Sequence, residues 1–274
     1  MKKITFLVLS VLFISCQTSN TFYQVYKTKS ETVKQSGNNT IAFEDNNCKI
    51  EYNLWQNNGN AGFSFFNKSN EVIYLLLNES FYVINGNAYD YYQNRVFINS
   101  NTTTSQATSA VGISSFGNSR LGLLPVSSYR SKTVSNNSTN GIEITESKIL
   151  AIPPGTSKSV SEFNINQTLY RDCDLLRFPS SKQTSTKSFS ESSTPLKFYN
   201  SIIYRIGEKE TRIKVKNDFY VSEVTNLSEA KMIVFEKNTF CDQKGGVPVR
   251  TFKDSSPDKF YVTYSKSQYD TWKY

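Results

Sequence analysis

The chain has 274 residues, no histidine, 31 Lys and Arg against 23 Asp and Glu, and a formal net charge of +8. The missing histidine excludes Ser-His-Asp and Cys-His catalysis and every His-ligated metal site, and no Cys-x-x-Cys pair offers a thiolate cage. Charges are scattered with no run of five of one sign, as on a solvated surface, and no Gly-rich phosphate loop or dinucleotide fingerprint occurs, so neither a nucleic-acid partner nor a cofactor is expected.

The chain opens with Met1-Lys2-Lys3, an apolar run from Ile4 to Ile14 broken only by Thr5 and Ser10, and then Ser15-Cys16. A basic start, a short apolar region and a small residue before a cleavage point predict a secretory signal peptide over 1–15, too short to stay in a bilayer as a spanning helix. Phe13-Ile14-Ser15-Cys16 resembles the lipobox of bacterial lipoproteins, although Phe13 stands where Leu is usual. That resemblance implies removal of the leader and lipidation of Cys16 by diacylglycerol and an acyl chain such as palmitate. At about 0.8 kcal/mol per buried methylene, two or three acyl chains anchor a protein that does not span. Residues 16–40 are then expected to be a lipidated N-terminal tether.

Three cysteines remain, which allows one disulfide between two of Cys48, Cys173 and Cys241 and leaves one thiol over. An oxidising envelope favours a bridge, and the sequence leaves the pair open. Cys173 lies between Asp172 and Asp174. Two flanking carboxylates raise a thiol's pKa, so Cys173 reads as structural rather than nucleophilic.

A β domain is expected over 41–172. Cys48 to Leu54 alternates, with Ile50, Tyr52 and Leu54 set against Lys49, Glu51 and Asn53, and ends in the turn Asn57-Asn58-Gly59-Asn60. Ala61 to Phe66, Val72 to Leu77 and Phe81 to Ile84 follow as strands. Asn85-Gly86 then suits a tight hairpin because both residues accept positive φ, with a return strand over Ala88 to Ile98. From Asn99 to Asn140 the chain turns Ser-, Thr- and Asn-rich around a thinner apolar stretch, Val111 to Val126. Such sequence buries little apolar surface, and it reads as a long exposed polar insertion between strands.

Glu143 to Ile152 resumes a strand pattern that stops at Pro153-Pro154-Gly155. With Phe63-Ser64-Phe65-Phe66 and the aliphatic stretch after it, the Ile-Pro-Pro-Gly-Thr-Ser-Lys string resembles bacterial immunoglobulin-like domains, which implies an all-β immunoglobulin-like β-sandwich and no function. A Ser/Thr/Lys-rich connector over Ser180 to Thr194 precedes strand patterns at Leu196 to Ile206, Ile213 to Lys216, Phe219 to Val224 and Lys259 to Tyr264. Leu227 to Phe235 fits a short helix or a strand. This C-terminal β region, 173–274, either completes the first sandwich or forms a second subdomain. With its short leader and Ser-Cys junction, the whole chain resembles the Asn-, Tyr- and Ser-rich lipoproteins of Bacteroidota. The resemblance implies an outer-membrane lipid anchor, periplasmic or surface-facing, and no named activity.

Three functions from different classes follow. The first is a non-enzymatic membrane-anchored binding or accessory protein, held by its N-terminal lipid and presenting the insertion to an envelope partner. The second is a glycan-binding lipoprotein using Asp90, Tyr91, Tyr92, Asn94 and Arg95, since glycan modules stack sugars on exposed rings and bond them with carboxylates, amides and guanidinium groups. Its alternative is that these rings, being favoured strand residues, fill the core. The third is a hydrolase needing two facing carboxylates. The local acid pairs, Glu44 with Asp45 and Asp172 with Asp174, read as turn or surface residues, so no catalytic residue is assigned.

Overall fold

The computed structural model describes residues 21–37, 39–112, 129–161, 163–237 and 239–274. The segment expected to be a leader, Cys16 and residues 113–128 of the insertion lie outside the described residues. In chain order the first strands are β1 (Thr21–Lys29), β2 (Lys34–Ser36), β3 (Thr40–Glu44), β4 (Cys48–Tyr52) and β5 (Phe63–Asn67). The alternation in β4 has its expected effect. Cys48, Ile50 and Tyr52 are buried, while Lys49 and Glu51 face outward and pair at 2.6 Å. In the turn before β5, Asn58 and Gly59 take φ of 67° and 72°. A Cβ at Gly59 would sit 2.8 Å from Ile165 and 2.9 Å from Phe260, so only glycine fits there.

Next come β6 (Ile73–Leu76), β7 (Phe81–Ile84) and β8 (Asn87–Asp90). β7 and β8 form the hairpin expected at Asn85-Gly86, whose φ values are 46° and 84°. The return strand is shorter than its pattern suggested. β8 stops at Asp90, Tyr91 is buried, and β9 (Val96–Gly112) begins a separate ladder with β10 (Tyr129–Thr145). The insertion is therefore mostly strand among its described residues, where a polar loop was expected. The β-branched threonines favour strand conformation, and a two-stranded ladder, whose cohesion comes from the backbone, asks for no apolar face.

The remaining elements are β11 (Ile149–Ile152), β12 (Ser157–Val160), β13 (Ser185–Ser188), β14 (Lys197–Ile206), β15 (Ile213–Ser228), the one-turn helix α1 (Glu229–Met232), β16 (Ile233–Glu236), β17 (Thr239–Phe240), β18 (Gln243–Lys244), β19 (Val249–Phe252) and β20 (Lys259–Ser265). Leu227 to Phe235 thus holds the end of a strand, a helical turn and the start of another strand. The expected connector 180–194 carries β13, which pairs with β15.

The chain divides into two compact units, Met1–Tyr91 with Ile149–Tyr274, and Tyr92–Lys148. In the larger unit one antiparallel sheet runs β11-β6-β14-β15-β1-β20, with β7 also on β14, β8 on β7 and β13 on β15; a second runs β12-β5-β4-β3-β2. They face each other through aromatic pairs: Tyr52 on β4 lies 5.3 Å from Phe219 on β15, and Phe65 on β5 lies 5.2 Å from Tyr204 on β14. Such pairs contribute about 0.5–1.5 kcal/mol each beyond area burial. The C-terminal β region shares this sheet, since β14, β15 and β20 are hydrogen-bonded neighbours of β6, β7 and β1.

The tether expected over 16–40 is corrected by β1, which lies between β15 and β20 with Tyr23 and Tyr26 buried. The alternation of Tyr23, Val25 and Lys27 with Phe22, Gln24 and Tyr26 does not read as a strand in the sequence because Gln24, polar by composition, is a buried hydrogen-bonding node. Its amide donates to Asn226 Oδ1 at 2.8 Å and to the Tyr170 carbonyl at 2.9 Å. A β-bulge at Lys27/Thr28 lets Val221 and Ser222 on β15 both turn inward.

Candidate functional site

The acid pairs are occupied by structural work. Glu44 Oε1 accepts from Lys68 at 2.7 Å, and Asp45 Oδ1 accepts the N–H groups of Asn47 and Cys48, each at 2.7 Å, to close the turn before β4. Lys187 pairs with Asp172 at 2.6 Å and with Asp174 at 3.3 Å. The Lys187 ammonium, helped by the Asp174 N–H and the Tyr170 hydroxyl, pulls the Asp172 carboxyl down to about 2. An acid held this far down is a poor proton donor near neutral pH. Among the described residues no group of three or more Cys, Asp and Glu is placed to hold a metal ion.

No disulfide joins Cys48, Cys173 and Cys241: all three are free, Cys48 buried and the others exposed. The expected bridge is thereby corrected. Cys48 begins an inner strand, and its thiol faces the Tyr204 hydroxyl at 3.8 Å. Burial, with the Asp45 charge adding to it, pushes the thiol up to about 12, so Cys48 behaves as a small apolar core residue.

The proposed glycan platform does not assemble. Tyr91 is 1% exposed; its hydroxyl donates to Asn200 Oδ1 at 2.7 Å, and its ring packs edge-on to Phe63 at 5.5 Å and against Phe163 at 5.3 Å. It closes the larger unit, while Tyr92 opens the smaller one. Buried in this way, Tyr91 offers no face on which a sugar could stack. Asp90 ends β8, paired with Phe81.

The rest of the cluster fastens the base of the β9–β10 ribbon. Glu146 Oε1 accepts from Arg95 Nη2 at 2.6 Å, and Oε2 accepts the N–H groups of Gln93 and Arg95 at 3.0 Å each, next to the terminal pair Val96 and Thr145. Tyr92 donates to Asn94 Oδ1 at 2.6 Å, and the Lys148 ammonium lies 5.6 Å from the Tyr92 ring centre. The Arg95 guanidinium, with the two backbone donors, holds the Glu146 carboxyl below the usual carboxylate range.

An aromatic groove takes in Tyr89, one residue before the expected cluster. Tyr82, Tyr89 and Phe163 line a cavity of about 410 Å³ with the amides of Asn164, Asn166 and Gln167. Tyr82 stacks on Phe163 at 5.3 Å, and Tyr89 is 47% exposed. Among the described residues the buried Tyr82 hydroxyl has no hydrogen-bond partner. The sequence signal was present in Tyr89 and in Asn164-Ile165-Asn166-Gln167, but these segments are far apart in the chain and only the fold brings them together. A second cavity, of about 440 Å³, is lined by Tyr199, Tyr220, Lys197, Lys216, Glu191 and Asp218 among others. Its charges largely pair internally: Lys216 with Asp218 at 2.6 Å and Lys197 with Glu191 at 3.5 Å.

The ribbon itself is the most unusual feature. β9 and β10, 17 residues each, pair in register from Val96 and Thr145 to Gly112 and Tyr129, and among the described residues neither pairs with any other strand. Each strand is about 56 Å long at about 3.3 Å per residue.

No family model and no curated protein matches the chain. Among solved structures a similarity is found to the crystal structure of lysenin pore, at 11% identity and a TM-score of 0.18, covering 84% of this chain. The match spans 64% of that chain, less than two thirds of its length, and likeness at this level carries neither fold nor function.

Proposed function

We propose that the chain is a lipid-anchored protein of the bacterial outer membrane that acts by binding, with the β9–β10 ribbon engaging an envelope protein partner. The ribbon carries this reading. Among the described residues its two outer edges present rows of backbone N–H and C=O groups with no strand beside them, and two-stranded ribbons are marginally stable alone in water. A partner that adds a strand would satisfy those groups, as in β-augmentation. The lipobox-like Cys16 supplies the membrane address. An immunoglobulin-like connectivity is the finer architectural reading, supported by two facing antiparallel sheets and by aromatic β5 followed by aliphatic β6.

The test compares the full chain with a variant in which residues 97–144 are replaced by an Asn-Gly turn, each cross-linked in envelope membranes and recovered with its partners. A partner at stoichiometric yield with the full chain and absent with the shortened one is the expected result. The same partner recovered with both, or none with either, overturns the ribbon as the binding element.

A second reading, glycan binding, moves from Tyr91 and Tyr92 to the Tyr82–Tyr89–Phe163 groove. The unpartnered Tyr82 hydroxyl beside an exposed ring and amides favours it, since sugar hydroxyls would complete such a wall. A glycan array with Tyr89→Ala as control decides it: no binding, or binding equal in both proteins, removes this reading.

A further inference from the structure

We infer that the arm β16–β19 and the C-terminal tail form a second contact with the lipid surface, resting on the reading that Cys16 anchors the chain. Thr21 pairs with Ser265 at the end of β20, and Phe22 pairs with Ser228 at the end of β15. From this one end of the sheet, three segments depart: the chain toward Cys16, the arm by way of α1, and the tail after Ser265. Five residue steps separate Cys16 from Thr21, a reach of at most about 18 Å. An acylated Cys16 therefore holds this end of the sheet near the bilayer.

The two described segments that depart there carry the most exposed large hydrophobic side chains among the described residues. Phe240 is 83% exposed, Val247 84% and Phe235 68% on the arm, with Tyr269 81% and Trp272 71% on the tail. Both segments are held in place. The arm's root packs Ile233 and Met232 on Tyr23, with Phe252 and Trp55 against them, and Arg250 pairs with Glu229 at 2.6 Å. In the tail, the Lys273 carbonyl accepts from the Arg177 N–H at 3.0 Å, and Asp270 pairs with Arg177 at 2.9 Å. The neighbouring Phe178 ring lies 5.2 Å from Phe22, which ties the tail to the same end of the sheet.

The charge fits a lipid occupant. Residues 233–253 carry four basic and two acidic side chains in a chain of net charge +8, and the exposed Lys237, Lys253, Lys266 and Lys273 lie on the arm, just after it and on the tail, on the same segments as the apolar side chains. Exposed aromatic side chains beside lysines suit the headgroup boundary of an anionic leaflet, where ring and ammonium are both accommodated. A protein partner would cover the apolar tips equally well, but the short reach to Cys16 favours the bilayer.

Residues 17–274 contain every described residue and lack the lipid, so vesicle binding by this chain is read independently of acylation. Vesicles of phosphatidylethanolamine and phosphatidylglycerol are the probe. The expected result is co-sedimentation with a blue shift of Trp272 emission, and a roughly tenfold or greater loss of partitioning in Phe240→Ser/Val247→Ser/Trp272→Ser, whose exposed positions leave the core intact. No vesicle binding, or equal binding by the triple variant, overturns the inference; so does a self-association of the wild-type chain that the triple variant abolishes, which would assign the patch to a second copy. The N-terminal mass of the membrane-extracted protein tests the anchor separately, so failure of one reading is distinguishable from failure of the other.

Discussion

Tyr91 separates a core side chain from a ligand platform. Tyr91→Phe keeps the ring against Phe63 and Phe163 but removes the hydroxyl that donates to Asn200 Oδ1 at 2.7 Å. Asn200 is fully buried, and its amide nitrogen remains bonded to the Ala61 carbonyl at 3.1 Å, so only its oxygen loses this donor. Leaving such an acceptor without its partner costs about 1–2 kcal/mol. Tyr91→Ala adds a cavity and should cost about 3–5 kcal/mol. For a unit of this size each kcal/mol lowers Tm by about 2–4 °C, so the Phe variant should melt about 2–8 °C below wild type. Tyr92→Phe, whose hydroxyl meets Asn94 near the surface, should stay within about 0.5 kcal/mol. Urea and thermal unfolding followed by near-ultraviolet circular dichroism measure all three. Wild-type stability in both Tyr91 variants would refute the placement of that ring in the core and restore it to the glycan platform.

The cysteines give a simple count. In the native chain a thiol reagent at pH 8 should label Cys173 and Cys241, and Cys48 only after denaturation; a single reactive thiol after denaturation would restore the disulfide. The Glu146 clasp makes the ribbon's base pH-sensitive. Because the folded carboxyl titrates below its unfolded value, its stabilisation is fully present above the ordinary carboxylate range and is lost as pH falls through the depressed folded value. Protection of the backbone amides near Val96 and Thr145, corrected for intrinsic exchange, should therefore fall in acid in the wild type. In Glu146→Gln it should already be lower at neutral pH and should not change across that window. Equal pH profiles would show that the clasp carries no linkage.

Much of the fold is legible locally. The alternation of Cys48 to Tyr52, the glycine demanded at position 59 and the Asn85-Gly86 hairpin all follow from side-chain parity and backbone sterics within a few residues. The all-β class follows from the same signals, and the missing histidine limits the chemistry whatever the fold. Tertiary structure decided what depends on distant partners. β1 looks like tether sequence until Asn226 and Tyr170 bond Gln24, and the 99–140 stretch looks like a loop until β9 and β10 pair. Tyr91 and Tyr92 are indistinguishable in sequence, yet Tyr91 enters the core, where Asn200, Phe63 and Phe163 meet it from distant parts of the chain, while Tyr92 bonds its near neighbour Asn94. Likewise the Tyr82–Tyr89–Phe163 groove and the shared sheet end of Thr21, Ser228 and Ser265 join residues far apart in the chain. Parity and turn chemistry act over a few residues and are written in order along the chain; burial and ligand surfaces depend on which strands become neighbours, and only the folded sheets determine that.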